Sequence, residues 1–368
     1  MAKTKLPDLV IGDLIINPPI VQGGMGARVS ASSLVSAVSN EGAFGVIASV
    51  GLAEVGEADS NGLSYEERSK AALFNMIHAT KLKTKNSFGV NIMCALSNYD
   101  DLAKVSLEEN VAAIISGAGL PLGLPALTQD IKSNTKLIPI VSSGRAADLI
   151  CKTWSRRYNV LPDAFVLEGP LAGGHLGFKF TDLVSDELPL VENILPEVLS
   201  VCKKYESAKG KKIPVIVGGG VFTGKDIARL LKLGASGVQM ATRFVCTDEC
   251  DAPDLFKQAY INSTEKDIVI ILSPVGLPAR VIKNKFVERI ESGEKIKFTC
   301  PYRCLKVCNP YSANYCIAQA MINAYKGNLE EGYVMCGANV HRIKKIVSVK
   351  ELINELAEEF GENLYTTT

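Results

Sequence analysis

A single Trp and three His stand in a chain of 368 residues, and neither sign of charge is in excess: 40 Lys and Arg oppose 39 Asp and Glu, for a formal charge of +1. A chain this close to neutral offers no field to gather nucleic acid or an anionic membrane, so a small molecule is the expected partner. No run approaches the roughly 20 apolar residues of a membrane-spanning helix. The opening residues Met1 to Asp8 carry no apolar stretch of the kind that addresses a chain for export, which predicts a cytoplasmic protein. The ten Cys are then expected as thiols or metal ligands before disulfides. Also missing are a Walker Gly-Lys-Ser/Thr loop and a dinucleotide-binding glycine fingerprint followed by an acidic residue.

What is there is a folded composition, 47% hydrophobic and 21% charged, arranged as short apolar runs alternating with amphipathic stretches. Strands are predicted at Pro19–Gln22, Phe44–Ala48, Ser87–Asn91, Ala112–Ser116, Leu137–Val141, Ala164–Glu168, Pro214–Gly218 and Gly237–Met240. Their apolar character is continuous rather than alternating, as expected of parallel strands covered on both faces. Helices are predicted at Ser32–Asn40, Tyr65–Lys83, Tyr99–Asn110, Ala146–Tyr158, Val191–Ala208 and Gly224–Leu233, with Ser30 and Thr223 as N-caps. Eight strand–helix units in series predict an α/β fold, a closed (β/α)8 TIM barrel, with a doubly wound sheet as the alternative. Residues 1–277 would form the barrel. Residues 278–368, with helices expected at Ser312–Lys326 and Val349–Phe360, would form a cysteine-rich C-terminal extension over its mouth.

Glycine turns and polar residues fall directly after these strands, which in a barrel gathers them on the C-terminal rim where active sites sit. Gly218-Gly219-Gly220 before a helix, then Gln239 to Arg243, is the pattern of the phosphate pocket after strands seven and eight. Glycines allow close approach there, and backbone N–H groups face the anion. The Ala172-Gly173-Gly174-His175-Leu176-Gly177 loop places a His where a ligand can approach closely, with an ordinary pKa near ~6.5 suited to proton transfer. His175 is the expected catalytic residue. His78 and His341 are read as packing or surface residues, and so is the lone Trp154.

Together, Pro19 to Met25, Phe88-Gly89-Val90-Asn91, the Gly-Gly-His loop, Gly218 to Gly220 and Gln239 to Phe244 resemble the nitronate monooxygenase family, which also includes flavin-dependent enoyl-ACP reductases and NADH:quinone reductases. The resemblance implies an FMN-dependent oxidoreductase. Gly23, Gly24 and Met25 would lie along the flavin, with Gln22 and Asn91 near its polar edge. Gly219, Gly220, Ala241 and Thr242 would hold the phosphate, Gln239 would reach the ring from below, and Ser143, Gly174 and Gly218 complete the expected contacts. His175 would act as a base over flavin N5 on a nitronate, with an NAD(P)H-dependent enoyl-thioester or quinone reductase as the alternative; a homodimer is a further expectation. Ala241 stands where that family commonly has Gly, which is tolerable if its φ is negative. Pro170-Leu171 replaces a more usual acidic residue.

Cys300, Cys304, Cys308 and Cys316 are spaced C-x3-C-x3-C-x7-C. Four such thiolates suit a [4Fe–4S] cluster, or less well zinc, which prefers CxxC pairs. If the segment is helical, the first three share one face and plain packing accounts for them equally. Barrels that bind a sugar phosphate without flavin, and an electron-transfer module built on the cysteines, are the competing classes.

Overall fold

The computed structural model describes residues 6–55, 62–129, 131–185, 187–300 and 302–365, so Met1 to Lys5 and Pro301 lie outside it. An eight-stranded parallel sheet contains β3 (Ile20–Gln22), β4 (Gly45–Ala48), β5 (Phe88–Met93), β6 (Ala113–Gly117), β7 (Lys136–Val141), β8 (Phe165–Glu168), β10 (Val215–Gly218) and β11 (Gly237–Met240). Its order, β3-β11-β10-β8-β7-β6-β5-β4, closes where Val21 pairs with Phe44 beside β4. The Gln22 and Phe44 N–H groups donate to the Phe44 and Ile20 carbonyls at that seam, both at 2.9 Å. The sheet is therefore a barrel, not an open doubly wound sheet. Each expected strand is present to within two residues of its predicted bounds.

Helices α1 (Ser32–Asn40), α2 (Leu52–Val55), α3 (Tyr65–Lys83), α4 (Tyr99–Glu108), α5 (Gly144–Tyr158), α6 (Phe180–Leu183), α7 (Val191–Lys209), α8 (Gly224–Lys232) and α9 (Thr242–Val245) follow the strands. Thr223 caps α8 as expected, in a reciprocal capping box with Asp226. Ser30 does not cap α1. Asp251, far along the chain, accepts from the Ala31, Ser33 and Leu34 N–H groups instead, and Ser30 is turned inward to accept from Gln22 and the Met25 N–H.

A short hairpin that the sequence pattern does not announce, β1 (Leu9–Ile11) and β2 (Leu14–Ile16), precedes the barrel. Leu9, Ile11, Leu14 and Ile16 join Val21, Val46, Ile115, Ile138, Val166 and Ile216 in one cluster and fill the barrel from its N-terminal end. The barrel interior is thereby closed from its N-terminal end. A larger core lies between sheet and helices, with Trp154 fully buried in it.

After α10 (Asp254–Ile261) the chain forms β12 (Ile268–Leu272) and β13 (Pro278–Ile282), an antiparallel pair with Leu272 opposite Pro278. β13 also pairs with β9 (Gly174–His175), setting Ala279 opposite His175 and Arg280 opposite Gly174. Beyond α11 (Lys285–Glu291) and α12 (Ile317–Tyr325), α13 (Val349–Tyr365) packs against α8. A side chain at Gly224 would run into the α13 backbone at Leu356 and Phe360, so glycine is required where those helices meet. Glu359 accepts from the Gly224 N–H at 2.6 Å across the same contact.

Candidate active site

The rim residues enclose one principal cavity, of about 310 Å³, at the C-terminal end of the barrel. Its floor and one wall are Gly23, Gly24, Met25, Asn91, Gly219, Gly220, Gln239, Ala241 and Thr242; Gly174 and His175 stand on another side. The extension supplies the remaining wall, including Leu305, Ile317, Met321, Tyr333, Met335 and Asn339. Five of the seven Met in the chain, at positions 25, 93, 240, 321 and 335, line this space. No Lys or Arg does.

The glycine-rich end of the cavity is built from backbone. Gly219 and Gly220 have φ of +95° and +81°, a left-handed pair that only glycine adopts without strain. Their N–H groups find no acceptor among the described residues and are free for an anion. Ala241 has φ −127°, so the methyl group there carries no backbone cost. Thr242 Oγ1 accepts from the Gly337 N–H at 2.9 Å, and Asn339 donates to the Gly220 carbonyl at 2.8 Å, so the extension braces both of these loops. Arg243, expected at the same pocket, points away: it donates to the Phe222 carbonyl and to Glu355 of α13.

His175 is fixed by its strand. The pairing with β13 sets its backbone, and Arg280, 5% exposed, donates to the Pro170 carbonyl at 2.7 Å and to the Ala172 carbonyl. A buried guanidinium therefore ties down the loop that precedes the His. Nε2 of His175 is buried with no hydrogen-bond partner among the described residues, the condition of a group open to a ligand. Burial pushes the imidazole down to about pKa 4, so it is neutral at physiological pH.

Glu168, which ends β8 and lines the same cavity, received no role from the sequence. Burial pushes its carboxyl up to about pKa 7, and no side chain or N–H among the described residues donates to it. The available signal was a carboxylate closing an otherwise apolar strand on the reactive rim. Gly218 sits between Glu168 and Gln239 in the strand register, so a small residue separates the two polar side chains.

Other expected contacts fall elsewhere. Gln22 is fully buried and committed, donating to Ser30 at 2.8 Å and to the Gly23 carbonyl and accepting from Val46 N–H at 3.1 Å. It props the first glycine turn from below rather than facing a ligand. Ser143 caps α5 by accepting from the Ala146 N–H at 3.3 Å and does not line the cavity. Gly218 lies within β10, beneath Gln239. Of the distant His residues, His78 stacks on Phe74 and reaches Glu109 at 3.0 Å.

The cysteine cluster is corrected. The described residues 292–300 and 302–316 form no helix, so they present no shared helical face. The segment is pinned instead to the loop after β5 by a Leu96–Leu305 bridge, with Ser97 N–H donating to Cys304 O at 3.0 Å and Lys306 N–H to Ala95 O at 2.9 Å. Cys304 faces the cavity, Cys316 occupies the N-cap of α12, and Cys300 Sγ accepts from the Arg303 N–H at 3.4 Å. Burial, and then neighbouring Glu54 and Cys316, push Cys304 up to about pKa 12, which keeps it a thiol. Among the described residues no group of three or more His, Cys, Asp or Glu is placed to hold a metal ion. The [4Fe–4S] and zinc expectations are not supported.

The profile of the nitronate monooxygenase family matches residues 8–359, from the β1 strand to the last turns of α13. The chain belongs to that family. The chain is similar to a probable nitronate monooxygenase of Staphylococcus aureus, 29% identical, over 76% of this chain and 79% of the relative. A (3aS,4S,5R,7aS)-5-hydroxy-7a-methyl-1-oxo-octahydro-1H-indene-4-carboxyl-CoA dehydrogenase of Mycobacterium tuberculosis is also 29% identical, over 77% of this chain and 68% of the relative. Among solved structures, FabK from Thermotoga maritima is 30% identical with a TM-score of 0.71, covering 94% of this chain and 93% of its own. The barrel is thus that of a flavin-dependent oxidoreductase. The residues present suit FMN: a left-handed glycine pair with free N–H groups at one end, small residues along the floor, and an unpartnered imidazole above. Among the described residues no helix is long and apolar enough to cross a membrane.

Proposed function

We propose that this member of the family binds FMN and reduces a neutral, apolar activated alkene, an enoyl thioester being the class that best fits the lining. The observation that carries the reading is that, among the described residues, no Lys or Arg lines a cavity walled by thioether and aliphatic side chains. A nitronate anion entering it would lose hydration with no cation to replace it, and Glu54 and Glu168, when ionised, would repel it. A neutral thioester meets neither cost. The carboxyl-CoA named in the Mycobacterium tuberculosis relative is a substrate of that carrier type.

FMN, when bound, supplies hydride transfer. Gly219, Gly220 and Thr242 would hold its phosphate and Gly23, Gly24 and Asn91 would flank its ring. His175, with a pKa of about 4, is a weak base and a poor choice for taking a proton from carbon. Its neutral ring instead suits a donated hydrogen bond from Nε2 to a thioester carbonyl, which would draw charge toward oxygen as hydride arrives at the β-carbon. Glu168, with a pKa of about 7, can hold or release a proton at working pH. The Met wall excludes water from the reacting carbon.

Anaerobic mixing of the FMN-loaded protein with NADH or NADPH, followed by crotonyl-CoA, tests this. Bleaching by a nicotinamide and recovery with crotonyl-CoA is the expected result. No bleaching by either nicotinamide, with bleaching by propyl-2-nitronate, would overturn it in favour of nitronate oxidation, the reading suggested by the name of the Staphylococcus aureus relative.

A further inference from the structure

Hydride arriving at the β-carbon is half of an enoyl reduction; the α-carbon must also gain a proton. Alternation along β8 narrows the source. Phe165 and Leu167 pack outward into the core between sheet and helices, whereas Val166 points into the barrel with Ile216 of β10. Glu168, two residues on from Val166, therefore points into the barrel as well and stands on that apolar plug where the cavity begins. Its register partner on β10 is Gly218, which has no side chain to fill the space beside it. No Lys, Arg or second carboxylate among the described residues acts on the carboxyl from β7, β10 or the loop to His175; burial alone shifts it.

The other ionisable groups that line the cavity are Glu54, His175, Tyr260, Cys304, Tyr333 and Cys336. Tyr260 donates its proton to the Met335 carbonyl, Tyr333 is bonded to the Tyr315 hydroxyl at 3.4 Å, and burial holds both phenols well above their ordinary range. Cys304 and Cys336 are pushed up to about 12 and keep their protons. The neutral His175 ring is a far weaker acid than a carboxyl. Glu54 is engaged by the Tyr65 hydroxyl and stands on α2 rather than on a barrel strand.

We propose that Glu168 is the catalytic acid of this site, giving its proton to the substrate α-carbon; the assignment rests on the enoyl-thioester reading above. The hydride brings both electrons to the β-carbon, and the C=C double bond becomes a single bond. The α-carbon–hydrogen bond forms as the Glu168 O–H bond breaks. The carboxylate left behind takes a proton from water before the next turnover.

The test follows a single reoxidation of FMN-loaded, anaerobically reduced protein by two acceptors: crotonyl-CoA, which needs the proton, and 1-nitropropene, whose hydride adduct is a stable nitronate that does not. Glu168→Gln keeps the shape and removes the acid; it should slow the crotonyl-CoA reaction about a hundredfold, the scale of one general acid, and change the nitropropene rate only a few-fold. Glu168→Asp, which restores a carboxyl one methylene shorter, should recover part of the loss. The wild-type crotonyl-CoA rate should fall as pH rises through about 7, since the protonated form is the donor, and the rate of the Gln variant should not. Independently of turnover, the infrared difference spectrum of the apoprotein, wild type minus Glu168→Gln, should show a carboxylic-acid C=O band in mild acid that fades in alkali. Equal slowing of both acceptors, slowing of neither, or a missing infrared band overturns the assignment and leaves the thioester reading standing. If crotonyl-CoA does not reoxidise the wild-type flavin, the thioester reading falls and the assignment falls with it.

Discussion

Replacing Glu168 by Gln should stabilise the apoprotein above pH 7 and leave its stability unaltered below about pH 4.5. Burial raises the carboxyl from 4.5 to about 7, so the folded protein holds a proton there that the unfolded chain has already released. The stability contributed by the protonated form is complete below pH 4.5 and is lost as pH rises through 7. Converted directly, the shift is worth roughly 3 kcal/mol. The carboxyl opens onto the cavity rather than into packed core, so cavity water offsets part of this, leaving about 1–2 kcal/mol. With an unfolding entropy of roughly 2 cal/mol/K per residue, a chain of this length shifts by roughly 2 °C. Thermal unfolding of both proteins between pH 4 and 9, without flavin, should give curves that coincide at the acid end, diverge through the middle and run parallel above pH 8. A constant offset, or none, would refute the assignment of a neutral Glu168.

Three further outcomes follow from the geometry. The depressed His175 pKa of about 4 means that turnover should show no inflection near pH 6.5 that disappears in His175→Gln; finding one would place a proton on the folded imidazole. Arg280→Met should leave the Pro170 and Ala172 carbonyls buried without donors, at a cost of about 2–4 kcal/mol by chemical denaturation, with turnover falling further than flavin content because the His175 loop is released. Gly220→Ala, at φ +81° and with Leu171 too close to accept a methyl group, should weaken FMN binding by roughly tenfold in a fluorescence titration while circular dichroism stays native.

The barrel strands were legible because burial on both faces leaves a run of apolar residues that little else produces. The β1–β2 hairpin escaped because three-residue strands on either side of Gly12-Asp13 are too short to show a period. His175 could be read from its glycines, whereas its partner strand could not, since β9 and β13 are about a hundred residues apart and only tertiary structure joins them. Gln22 misled because a polar residue at a strand end looks the same whether it turns to a ligand or inward to Ser30 and Val46. The cysteines misled through a period of four. Pro301 and the Asn309-Pro310 pair, both hostile to a continuous helix, were the contrary signal in the same segment.

The pairing of β9 with β13 also bears on how such sites can be transplanted. The Gly-Gly-His loop and the hairpin that aligns it behave as one part delivered in two instalments, like the halves of a hinge. Grafting the Gly-Gly-His loop into another barrel without residues 268–282 would move the imidazole but not its alignment. A change engineered in the hairpin would likewise be felt at His175 through main-chain hydrogen bonds, with no side chain of the loop changed.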